Sequence, residues 1–136
     1  MQPRVCEFGF PGPLRDSLVA AVLAGRKTAT SSLLAEWEWE NETLPIVGEE
    51  QTVIDSAGTS VATIEITACS VIALGAVDDT VALAEGEDYQ TAAGWRAEHE
   101  RFWREEVLPE WDAGAPPVIV DSTPVVVQWF RVTERL

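Results

Sequence analysis

Lys27 is the only lysine in this 136-residue chain; the other eight basic side chains are arginines. Three residues on lies Thr30, in the run Gly25-Arg26-Lys27-Thr28-Ala29-Thr30. An amine beside a hydroxyl can act as a general base if burial or a neighbouring cation lowers its pKa, and Arg26 is such a cation. Arginine can replace lysine as a positive surface group but not as a titratable amine. A downstream carboxylate such as Glu85 is the candidate to orient the lysine, take its proton or protonate a leaving group. The structural alternative is that Lys27 complements a helix C-terminus and Thr30 caps the next helix.

Other chemistries find less support. One histidine and two distant cysteines make no zinc-spaced cluster. Glu85, Glu87 and Asp88 could attract Mg²⁺, but a solvated acidic loop is the expected reading, so no metal and no cofactor is assigned. His99, the sole candidate base for a serine-type triad, falls on the apolar stripe of a helix. It is expected as a core or groove-wall residue that can meet a ligand if that stripe borders a cleft. Trp37, Trp39, Tyr89 and His99 are candidates to stack on a ring.

The net charge of −14 disfavours a long groove that tracks phosphates. The first thirty residues differ from the rest: Arg4, Arg15, Arg26 and Lys27 face only Glu7 and Asp16 there. A local anion contact at Arg26 and Lys27 is therefore possible. No apolar signal region opens the chain and no apolar run approaches the ~20 residues of a membrane helix. A cytoplasmic protein with reduced thiols, no membrane contact and no DNA partner is expected.

The elements that must position these residues follow from periodicity. Pro13 and Gly25 bracket a helix over 13–24, with Leu14, Leu18 and Val22 at helical spacing. Ser31 or Ser32 is expected to cap a second helix through Leu33, Leu34, Trp37 and Asn41. Strands are expected over Gln51–Asp55, Ser60–Leu74, Val118–Val120 and Val125–Val132, the second from the alternation of Val61, Thr63 and Glu65 with Ala62, Ile64 and Ile66. Asp78-Asp79 caps a short helix ending at Glu85-Gly86, and Thr91 a longer one to Leu108. This order predicts one α+β domain over 1–136, a small mixed β-barrel with helices packed around it.

The Gly25–Thr30 run matches the G-x-K-x-x-T signature of ASCH domains. Phe10-Pro11-Gly12 before the first helix, Pro45 and Gly48 before the first strand, Glu85-Gly86-Glu87, and Trp95-x-x-x-His99-x-x-Phe102 follow in the family's order. The chain thus resembles the compact bacterial single-domain ASCH proteins over nearly its whole length. The resemblance implies a PUA-like barrel with a cleft beside the signature and a connection to RNA or nucleosides. It also implies an amidohydrolase that removes an acyl group from a modified nucleoside such as N4-acetylcytidine. Lys27, Thr30 and Glu85 would be its catalytic set, with Glu87 as the competitor of Glu85; on their own chemistry, Arg26, Trp37, Tyr89 and His99 are expected as its substrate contacts. A ribonuclease or non-catalytic RNA-binding module is the alternative, and a small-metabolite sensor the third reading.

Overall fold

The computed structural model describes residues 3–136. Its elements run β1 (Arg4–Cys6), α1 (Pro13–Leu23), β2 (Ala29–Leu33), α2 (Leu34–Trp39), β3 (Glu50–Ile54), β4 (Ser60–Ala73), α3 (Asp79–Ala84), α4 (Ala92–Phe102) and β5 (Pro124–Arg135). Among the described residues no helix is long and apolar enough to cross a membrane.

The strands form one five-stranded sheet in the order β1-β3-β4-β5-β2. All pairings are antiparallel except the short β1–β3 contact. The α+β class is as expected, but the expected barrel is not: the sheet is open, with β1 and β2 as its two edges. β1 is only three residues long and pairs with β3 alone, while β2 pairs with β5 alone. Residues of both edges line one cleft. What would be the closing seam of a barrel is here an opening.

Alternation along the strands sends apolar side chains to both faces. Ala62, Ile64 and Ile66 of β4 and Phe130 of β5 meet Phe8 and the Leu18, Val19, Val22 stripe of α1. Val125 and Val127 of β5 and Leu33 of β2 meet Val81, Ala82, Trp95, Trp103 and Val107 on the other face. Helices on both faces therefore bury the sheet and leave the edges to the cleft.

Several elements differ from the sequence expectation. Ala29–Leu33 is a strand, so Ser31 and Ser32 cap nothing; they pair with Val127 and Val126. The helix after it is shorter, and its first turn is tied by Glu36, whose carboxylate accepts from Leu33 N at 2.8 Å. β1 escapes notice because its partner lies far along the chain. Val118–Val120 pairs with no strand, and Val118 is 72% exposed. The helix begun at Thr91, whose hydroxyl accepts from Gly94 N, passes into a π-helical turn over Trp103–Val107 and a 3₁₀ turn over Leu108–Glu110. The helix-end role considered for Lys27 falls to Arg135, whose guanidinium donates to the Leu23 carbonyl at 2.8 Å.

Candidate functional site

Two backbone segments build the floor of the cleft. After α1 the chain turns at Gly25, with Arg26 N and Lys27 N both bonded to Ala21 O, and runs into β2. After α3 it turns at Gly86, which has a left-handed φ of 66°. Thr28 N donates to Ala84 O at 2.7 Å, lashing one segment to the other. A Cβ at residue 86 would lie 2.4 Å from Arg26 O and 2.7 Å from Lys27 N, so only glycine permits this approach. The approach sets Lys27 against Glu85.

Both side chains are buried, Lys27 at 2% and Glu85 at 1% exposure. Lys27 Nζ lies 3.5 Å from Glu85 Oε1, 3.7 Å from Glu87 Oε2 and 5.7 Å from the centre of the Phe8 ring. Glu85 is held on every side. Its Oε2 accepts from Trp95 Nε1 at 2.6 Å and from the Ser31 hydroxyl. Its Oε1 faces His99 Nε2 at 3.3 Å and the Tyr89 hydroxyl at 3.3 Å. Tyr89 donates more closely to Glu87 Oε2, at 2.7 Å, joining the two carboxylates. His99 stacks on Trp95 with ring centres 4.4 Å apart, and its Nδ1 bonds the Trp95 carbonyl at 2.8 Å.

Burial alone would raise the Glu85 carboxyl. The His99 hydrogen bond and the Lys27 charge outweigh burial and bring it down to about 2. Burial likewise opposes a charged His99, but its contacts with Glu85 raise it above its ordinary value. Burial and the two neighbouring carboxylates push the Tyr89 phenol far up, so it remains a donor. The floor is thus a charged hydrogen-bonded network, and Glu85 stays ionised at neutral pH.

The cleft above it has a volume of about 690 Å³. Of the candidate site residues singled out in the sequence, Lys27, Thr30, Trp37, Glu85, Glu87 and His99 line it, while Tyr89 sits behind Glu85 and Glu87. Among the described residues the Thr30 hydroxyl has no hydrogen-bond partner, whereas Trp37 Nε1 donates to Ser32 Oγ at 2.8 Å. Arg26 is exposed and outside the lining. Trp39 turns to the opposite side of α2, where it packs on Trp111 with ring centres 4.4 Å apart. Asp88 is exposed and outside the cleft. Glu85, Glu87 and His99 each bring one possible ligand atom within 4.8 Å of the others, but the Lys27 ammonium already supplies positive charge to both carboxylates.

Sequence reasoning missed Ser31 and Gln128. Ser31 shares a strand face with Leu33, which a strand reading of 29–33 would have exposed. Gln128 interrupts the apolar run Val125–Val127 on a central strand, a signal visible in the sequence.

The chain belongs to the ASCH domain family, whose sequence model matches residues 4–134. The family is in general associated with RNA. Protein EF3133 from Enterococcus faecalis V583 is 30% identical, with 99% of this chain and 78% of that one covered and a TM-score of 0.85. An ASCH domain from Lactobacillus crispatus JV V101 is 28% identical over 87% of this chain and 71% of its own, with a TM-score of 0.73. A ZmASCH mutant protein from Zymomonas mobilis, 8% identical with 89% and 69% covered and a TM-score of 0.51, shares the fold alone. No curated protein matches the chain.

Proposed function

We propose that this protein is an amidohydrolase that removes an acyl group from the exocyclic amine of a free modified nucleoside such as N4-acetylcytidine. The observation that carries the reading is Lys27, the sole lysine, buried between two carboxylates in the cleft that Thr30 also lines. In this reading the Thr30 hydroxyl attacks the acyl carbon and its proton passes to the Lys27 amine. The carbon–nitrogen bond breaks, the proton goes to the leaving exocyclic amine, and water then releases the carboxylic acid from Thr30. To serve as a base Lys27 must first hand on the proton of its ammonium form. Glu87, the more exposed of its two partners, lies 3.7 Å from the amine and gives that proton a route to water in the cleft. Glu85, held near a pKa of 2, is a poor proton donor; its role is to fix Lys27 and His99.

The charges around the cleft favour an unphosphorylated ligand. Each lining cation is committed: Arg4 to Glu49 and the Thr43 carbonyl, Arg15 to Glu7 and the Phe8 and Gly9 carbonyls, Lys27 to Glu85 and Glu87, His99 to Glu85, Arg101 to Glu98 and Glu105. Glu36, Glu40 and Glu42 line the same cleft with no cation partner among the described residues. A phosphate entering there meets repulsion with no free counter-charge.

The test is release of acetate from N4-acetylcytidine by the purified protein and by Lys27→Ala. Release by wild type alone is expected. No release, or equal release by the variant, sinks the reading. A ribonuclease or RNA-binding role draws its support from the family's general association with RNA. Tight binding of short single-stranded RNA with a steep salt slope would favour it instead.

A further inference from the structure

We infer that Gln128 is the residue that recognises the ligand's ring, by pairing its carboxamide with a neighbouring donor and acceptor on the ring edge. The inference rests on the reading above, that the cleft takes a nucleoside.

Gln128 is 8% exposed, yet its side chain has no hydrogen-bond partner among the described residues. The only sealed side-chain polar atom left unpartnered among those residues is Trp111 Nε1, so the Gln128 carboxamide keeps an opening, and that opening is the cleft it lines. A second buried glutamine, Gln51 at 5% exposure, lines the cleft too. Its Nε2 donates to Glu49 Oε2 at 2.8 Å, which accounts for its donor end. Gln128 is the stronger candidate because neither of its ends is committed.

A carboxamide with no protein partner that opens only to the cleft is met there by water or by a ligand's polar edge. Its position explains what it is for. Gln128 lies directly opposite Thr30 in the β2–β5 ladder. Opposed residues of an antiparallel pair point to the same face with their Cβ atoms about 5 Å apart. A substrate whose acyl carbon meets the Thr30 hydroxyl therefore sets its ring within reach of Gln128. A glutamine carboxamide offers one donor and one acceptor side by side, the pattern by which glutamine reads the edge of adenine. Cytosine carries the matching pair at its ring nitrogen and exocyclic amine. The aliphatic neighbours Val126 and Val127 can supply no such contact.

The test compares wild type with Gln128→Leu in cytidine binding, followed by calorimetry, and in thermal unfolding. If Gln128 serves the ligand, cytidine binding weakens about tenfold or more, while the melting temperature stays the same or rises because the carboxamide has no protein partner to lose. Unchanged binding would overturn the inference. So would a fall in melting temperature alongside lost binding, since the carboxamide would then be a structural bond. Failure of wild type to bind cytidine would overturn it as well. Hydrolysis of N4-acetylcytidine is followed separately. A wild type that binds cytidine through Gln128 but releases no acetate refutes the hydrolase reading and leaves this inference standing. Equal KM values for the two proteins in a working hydrolase do the reverse.

Discussion

Replacing Gly86 by alanine should uncouple the two backbone segments that bring Lys27 and Glu85 together. Two costs add. The first is conformational: a φ of 66° is left-handed, and an L-residue there loses about 1 kcal/mol relative to glycine. The second is steric. The new methyl would sit 2.4 Å from Arg26 O and 2.5 Å from Arg26 C, both backbone atoms, so no rotamer change relieves it. The segments must part by roughly 1 Å, against the Thr28 N to Ala84 O bond, at about 2 kcal/mol by comparison with overpacked cores. The sum is about 3 kcal/mol. For a chain of this length 1 kcal/mol moves the melting temperature by about 3–4 °C, so Gly86→Ala should melt about 10 °C lower. Gly114→Ala is the control: its φ of 84° carries the same conformational cost, but no atom lies within 4 Å of the added Cβ. It should melt only about 3–4 °C lower. Differential scanning calorimetry of the three proteins separates the two costs. If Gly86→Ala melts no lower than Gly114→Ala, the close approach does not constrain the site and the account of its assembly fails.

Thr30→Ala should melt within about 2 °C of wild type, because the hydroxyl has no partner to lose, while acetate release falls about 100-fold or more; a variant with intact turnover would remove Thr30 from the chemistry. The 5′-monophosphate of N4-acetylcytidine should be hydrolysed with a kcat/KM at least about tenfold below that of the nucleoside, the gap narrowing as salt is added. Equal rates at low salt would contradict the charge argument. For acid stability, Glu85 is lowered from an ordinary 4.5 to about 2, so its contribution is fully present above pH 4.5 and is lost as pH falls through 2. The stability gap between wild type and Glu85→Gln should shrink over that window in denaturant titrations. His99 has the opposite sign: raised above 6.5, it contributes fully below that pH and its contribution is lost as pH rises through the folded value. A ring titration by NMR should find His99 above 6.5 in wild type and lower in Glu85→Gln; no difference between them would refute the pairing.

Local signals carried well into the structure. α1 was legible because proline and glycine bracket a helical period, and Asp78 and Thr91 each accept the backbone bond expected of a cap. Ala29–Leu33 reads locally as a cap and helix start because Ser and Thr favour helix caps in isolation. Only the distant β5 ladder makes this segment a strand, and sequence cannot display that partner. Val118–Val120 shows the converse, since strand-forming residues without a neighbour remain irregular. For the site, the rarity of lysine singled out Lys27, and the Glu85–Glu87 context singled out its partners. Arg26 and Trp39 have site-like chemistry and stand next or nearly next to a lining residue, but Arg26 is exposed outside the cleft and Trp39 packs on Trp111. Gln128 went unnoticed because its meaning depends on which side chains leave it unpaired.

The place of β5 in the sheet governs the order in which this molecule can be made. β5 is the last of the described strands, yet it lies between β4 and β2 and pairs with both. β2, carrying Thr30 and Ser31, therefore waits through about ninety further residues of synthesis before its only partner leaves the ribosome. Until then one wall of the cleft has no sheet to join. A nascent chain stalled before residue 124 would hold Lys27 and Glu85 in its sequence without the strand that seats β2 beside them, so that wall of the site waits for β5.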